Sequence, residues 1–185
     1  GMQWAGTPGS EGLRQIIYQK ESKPILRKKD SKANKLKKIY KSHTPKDFIS
    51  IPSMTMGSTT VFDFENFTPE YEHVVEIYNA WGSSECTKAE GNPRPILSTK
   101  KKGIKEKKEG SIRRALNNNY RFGFVAGGLD DRGVFSDLYD TDQVQYSPGL
   151  TAISAANHSK DGLVQAISKR SCYATTGARI ILGFH

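Results

Sequence analysis

The chain has 185 residues, 36% of them hydrophobic and 25% charged, with a formal net charge of +9. That composition is the one of a soluble globular domain large enough for a real core, and no apolar run approaches the roughly 20 residues that cross a bilayer. Two cysteines, Cys86 and Cys172, fit neither a disulfide framework nor a zinc cluster.

The N-terminus, Gly1-Met2-Gln3-Trp4, lacks the basic-then-apolar order of a signal peptide, and Gly1 before Met2 reads as a cloning addition. Leu13–Gln19 is expected as a strand, with Ile16, Ile17 and Tyr18 between polar ends. Within Ser31–Ser42, Leu36, Ile39 and Tyr40 recur at helical spacing; Asp30 or Ser31 could cap that helix and Pro45 closes it. Phe48–Ile51 reads as a short strand stopped by Pro52, and Ser53–Thr60 as a loop. Thr68-Pro69-Glu70 carries a helix-start signature. His73–Tyr78 gives a buried strand leading into Asn79-Ala80-Trp81-Gly82-Ser83-Ser84-Glu85, a polar turn of the kind that lines a site. Residues 86–110 form a basic loop excursion. Ser111–Asn118 is a short helix, Phe122–Ala126 a strand, Leu150–Ser154 a strand, and Lys160–Lys169 a helix with Leu163, Val164 and Ile167 on one side. Cys172–Thr175 and Ala178–Phe184 close the chain as strands around Gly177.

Strands alternating with helices, and apolar on both faces, predict one α/β domain over residues 1–185, built on a mainly parallel sheet flanked by helices. In such folds ligands gather at the C-terminal ends of strands. The stretch Tyr120–Gly133 has that character: an apolar strand ends in Gly127-Gly128 and delivers Asp130 and Asp131. Read alone, it is equally a strand ending in a polar turn.

The positive charge lies in two lysine blocks, Lys28 to Lys41 and Lys100 to Lys108. Such blocks can steer polyanions, but neither interleaves aromatics with glycines as single-strand binders do. A solvated helix face and a basic loop are the expected readings, and a nucleic-acid partner is not expected. His43, His73, His158 and His185 show no ligand spacing. Asp137 to Asp142 lacks the central glycine and distal glutamate of a calcium loop. Glu76 sits inside an apolar strand and needs a partner if buried, either in a site or in an ion pair. Trp81, Ser83, Ser84 and Glu85 either line a pocket mouth or belong to a loop packed by its own tryptophan. Arg94 and Arg132 could grip a small anionic ligand.

Several blocks together carry a resemblance: Val75 to Glu85, Gly91-Asn92-Pro93-Arg94-Pro95, Phe122-Gly123-Phe124, Tyr146-Ser147-Pro148-Gly149-Leu150-Thr151-Ala152 and Arg170 to Ile180. In this order they resemble a PHP-like (polymerase and histidinol phosphatase) bacterial domain family of unknown function, related to metal-dependent phosphoesterases. The resemblance implies part of a distorted (β/α) barrel whose N-terminal strands, with their His-x-His motif, precede Met2, and whose chain continues past His185. It implies a hydrolase site in which a divalent metal (Zn, Mn, Fe or Mg) activates water. It also sets the ligand positions at Gln3, Ser53, Met54, Leu129 and Asp131. Of these only Asp131 has a coordinating side chain, with Asp130 beside it. The expectation is therefore a degenerate, inactive metal site. The alternative is a non-catalytic ligand-binding module. Open sheet edges at the cut would favour self-association.

Overall fold

The computed structural model describes residues 1–19, 33–101, 103–128 and 143–183. The described residues form eight strands and three short α-helices: β1 (Met2–Ala5), β2 (Leu13–Tyr18), α1 (Leu36–Lys41), β3 (Phe48–Ser53), β4 (Val74–Asn79), β5 (Gly82–Ser83), α2 (Ile112–Asn117), β6 (Gly123–Ala126), β7 (Leu150–Ile153), α3 (Lys160–Ser168) and β8 (Cys172–Thr175).

The mainly parallel, helix-flanked barrel is not what these elements build. β1-β2-β3 is antiparallel throughout, β7-β8 is antiparallel, and β5-β4-β6 is mixed. Among the described strands the one parallel pair is β4 with β6. The reason lies in the connections. A helix between two strands makes a parallel unit only when the chain crosses over to re-enter the sheet from the same end. Here α1 stands between β2 and β3, and α3 between β7 and β8, yet each pair runs antiparallel: the helix rides within a long hairpin. Most of the elements were readable from the sequence, but β1, β5 and the strand directions were not.

Smaller differences have local causes. β3 runs on through Pro52, which pairs with Arg14; proline is tolerated because β3 ends its three-stranded sheet and needs no outward donor there. Thr68-Pro69-Glu70 opens a turn and no helix follows, since Glu72 is drawn inward and β4 begins at Val74. Residues 178–183 are largely exposed and unpaired as a strand. Residues 31 and 32, with the proposed cap at Asp30 or Ser31, and Phe184 lie outside the described residues.

Alternation along the strands sorts the side chains into separate layers. From the first sheet, Trp4, Ile16 and Phe48 face α1, packing with Ala33, Leu36, Ile39 and Tyr40. The lysines Lys35, Lys37, Lys38 and Lys41 occupy the exposed side of α1. The opposite face of β3 presents Ile49 and Ile51 to Val74 of β4, Val125 of β6 and the apolar side of α3. Across β4, Val75 and Ile77 point away into an aromatic layer of Phe62, Phe64, Phe67, Tyr120, Phe122 and Phe124 under α2. Consequently Glu76, between Val75 and Ile77, must point back toward the first sheet.

Gly110 anchors the 86–110 excursion against the chain after β3. A Cβ there would stand 1.8 Å from the Thr55 carbonyl oxygen. Because the obstacle is backbone, Gly110→Ala is expected to destabilise by about 1–3 kcal/mol or more, read as a lowered urea midpoint at unchanged slope. An unchanged midpoint would show that this contact does not fix the excursion.

Among the described residues no helix is long and apolar enough to cross a membrane.

Candidate binding site

The space between the first sheet, β4, β6, β7 and α3 is a cavity of about 560 Å³. Its walls follow from strand register. Gln3 pairs with Gln15, and Gln15 with Ile51, so these three form one row across β1, β2 and β3. Ser53 extends the same face of β3 by one pleat. Val125 and Ala126 on β6, Thr151 and Ile153 on β7, and Ile167 on α3 complete the walls, with Ile16 and Ile17 of β2 and Gly1 and Met2 at the start of the chain.

Glu76 lies in this wall, 8% exposed. Its setting depends on an irregularity. The β4–β6 register slips between Glu76 and Tyr78: Glu76 pairs with Val125 and Tyr78 with Ala126. Such a bulge re-aims side chains and is common beside functional sites. Here it lets Asn79, three residues on, donate from Nδ2 to Glu76 Oε2 at 3.2 Å. Asn79 Oδ1 in turn accepts from the Trp81 N–H at 2.9 Å, which holds the amide in place. The Met54 N–H and the Ser53 side chain also act on the Glu76 carboxyl in the direction that favours its ionised form, while the Ser53 hydroxyl donates to the Ile51 carbonyl at 3.3 Å. Met54 adopts φ +49°, a left-handed conformation that costs an unbranched, bulky residue free energy. Burial pushes the Glu76 carboxyl up to about 7, and Asn79, Met54 and Ser53 offset only part of that rise.

Among the described residues the remaining side chains of the walls are neutral. Thr151 Oγ is fully used, donating to the Ala126 carbonyl at 2.8 Å and accepting from the Ala126 N–H at 2.9 Å. Among the described residues no Lys, Arg or His side chain lines the cavity.

The sequence-derived candidates separate. Gln3, Ser53 and Glu76 meet in this cavity. Met54 points instead into a cluster with Leu13, Met56 and Ile96, against which Trp81 packs. Trp81 Nε1 has no hydrogen-bond partner there. Ser84 Oγ accepts from the Met56 N–H at 3.4 Å, and Ser83 Oγ from the Glu85 N–H at 3.1 Å. Glu85 pairs with Arg113 of α2 at 2.8 Å on the surface, where such pairs contribute little. Arg94, whose charge acts on Tyr78 and Tyr146, does not line the cavity. These residues fix the turn after β4 and dock α2. Leu129, Asp130, Asp131 and Arg132 lie outside the described residues, as do Asp137 to Asp142 and His185. Sequence reasoning missed Gln15 and Thr151 in the walls; the signal for Gln15 was a polar residue one pleat from Ile17 on the same face of β2.

The metal implied by the resemblance can be tested against the donors present. Gln3, Ser53 and Met54 offer an amide, a hydroxyl and a thioether, with one carboxyl from Glu76 and no imidazole. Among the described residues no three His, Cys, Asp or Glu side chains stand together in a metal-binding group. A protein metal centre of the implied kind uses three or more such ligands. The described donors do not fit it.

Three relatives align along the chain. It is 52% identical over 185 residues to an uncharacterized protein of Chlamydia pneumoniae, and 50% identical over 184 residues to uncharacterized proteins of Chlamydia trachomatis and Chlamydia muridarum. The alignments cover 100% of this chain but 29% of each relative, so it spans less than a third of their length. No family model matches the chain, and no solved structure matches it.

Proposed function

We propose that this domain is a non-catalytic ligand-binding module, with phosphoesterase-like ancestry and a cavity that has exchanged metal chemistry for hydrogen bonding. The observation that carries the reading is Glu76: a buried carboxyl on the wall of a 560 Å³ cavity, held by Asn79 and lined, among the described residues, by neutral side chains. Apolar walls with a few fixed polar groups are the usual make-up of a small-molecule site. The resemblance adds that Gln3 and Ser53, where phosphoesterase relatives would have ligands, open onto this space. Without a second carboxylate or imidazole beside Glu76, the described walls offer neither a paired acid and base nor a metal-held water.

The test is a ligand-observed NMR screen of small polar fragments against the protein and against Gln15→Trp, which places an indole in the cavity wall. Fragments that bind the wild type and are lost in Gln15→Trp are expected. Unchanged binding in that variant would place the ligands elsewhere and defeat the reading. So would hydrolysis of an aryl phosphate ester with added Mn²⁺ or Zn²⁺ that disappears in Glu76→Gln.

A further inference from the structure

Resting on the binding-module reading, we infer that the cavity selects a ligand with a protonated amine on an apolar chain. The argument is one of charge balance. Glu76 is the one ionisable side chain in the described walls; β1, β2, β3, β6, β7 and α3 contribute none. Gly1 lies at the exposed rim and is not among the groups that act on the Glu76 carboxyl. Among the described residues the ionised carboxyl therefore has a hydrogen bond but no counter-charge, and a buried charge of this kind is costly until it is paired.

A cation entering the cavity supplies the missing partner. An ammonium group brings three donors, and a carboxylate has about four acceptor sites, of which the Asn79 amide occupies one at 3.2 Å. A Cβ added at Gly127 would touch Glu76 Oε1 at 3.4 Å, so the absence of a side chain there leaves that oxygen uncovered on this side. Beyond the carboxyl, Ile17, Ile51, Val125, Ile153 and Ile167 provide an apolar sleeve. Gln3 and Gln15, side by side in register, set a neutral polar edge. An anion meets repulsion from Glu76 and finds no basic side chain among the described walls. The net charge of +9 thus misleads about this cavity, whose local sign is opposite.

Three probes of equal length separate the possibilities: hexylammonium, hexanol and hexanoate, titrated while amide shifts of β2, β3 and β4 are followed. Hexylammonium is expected to bind at least tenfold more tightly than the other two at pH 8. Its affinity should fall about tenfold per pH unit below 7 as the carboxyl takes a proton, and Glu76→Gln should abolish the preference. Glu76→Gln mimics the neutral acid, and its unfolding curve would verify that it folds. Hexanol or hexanoate binding as tightly as hexylammonium overturns the amine inference while leaving a ligand-binding module in place. No shift from any probe overturns the inference, and the binding-module reading then stands or falls on its fragment screen.

Discussion

Glu72→Ala is expected to destabilise the fold by about 3–5 kcal/mol. Glu72 and Arg14 are both fully buried, with Arg14 Nε donating to Glu72 Oε1 at 2.6 Å. The Tyr40 hydroxyl donates to the same oxygen at 2.6 Å, and the Thr68 N–H to Oε2 at 2.8 Å. The guanidinium also lies 4.0 Å over the Phe62 ring and donates to the carbonyls of Glu11 and Leu13. One network therefore ties β2, α1, β3 and the turn before β4 together. Removing the carboxylate leaves a buried cation whose Nη2 already has no partner, and that uncompensated charge, more than the lost bonds, sets the cost. The double variant Arg14→Met/Glu72→Leu should recover much of the loss, because no charge is then buried. Urea unfolding of the two single variants and the double variant checks this. Additive losses in the double variant would contradict the explanation by unpaired charge.

Periodicity made α2 legible, since Ile112 and Ala115 are buried with Leu116 packed beside them; β2, α3 and β8 form where expected, but Ile17 and Leu163 are exposed. Glu76 was also legible as an anomaly, an acid between Val75 and Ile77. What it faces was not. That depends on the bulge at Ile77, which no local pattern encodes, and on β3 lying against β4. Strand direction was illegible for a related reason: α1 and α3 look like crossover helices in sequence, yet each returns the chain antiparallel. The Arg14–Glu72 pair is 58 residues apart in sequence, and Arg14 read alone was simply a polar residue on a strand. The turn Trp81 to Glu85 shows the converse. Its composition suggested a site, but Ser83, Ser84 and Glu85 are occupied with capping, docking and a surface ion pair.

Glu76 carries the second large prediction. In the unfolded chain its carboxyl titrates at the ordinary value of 4.5, and in the folded protein at about 7. Between those values the folded protein holds a proton that the unfolded chain has lost, so stability must fall as pH rises through that window and level off above it. A shift of that size corresponds to roughly 2.5 kcal/mol lost between pH 5 and pH 8. Glu76→Gln keeps the shape of the neutral acid and has nothing to titrate, so it should lack this component while retaining every other pH effect of the protein. The difference between the two proteins therefore isolates Glu76.

The most direct measurement is the free energy of urea unfolding for wild type and Glu76→Gln at pH 5 and at pH 8. A buried carboxyl without a counter-charge predicts similar stabilities at pH 5 and a wild type weaker by roughly 2.5 kcal/mol at pH 8. Parallel profiles, or a wild type that gains on the variant as pH rises, would mean that Glu76 is already solvated or ion-paired, and would contradict the account of the cavity.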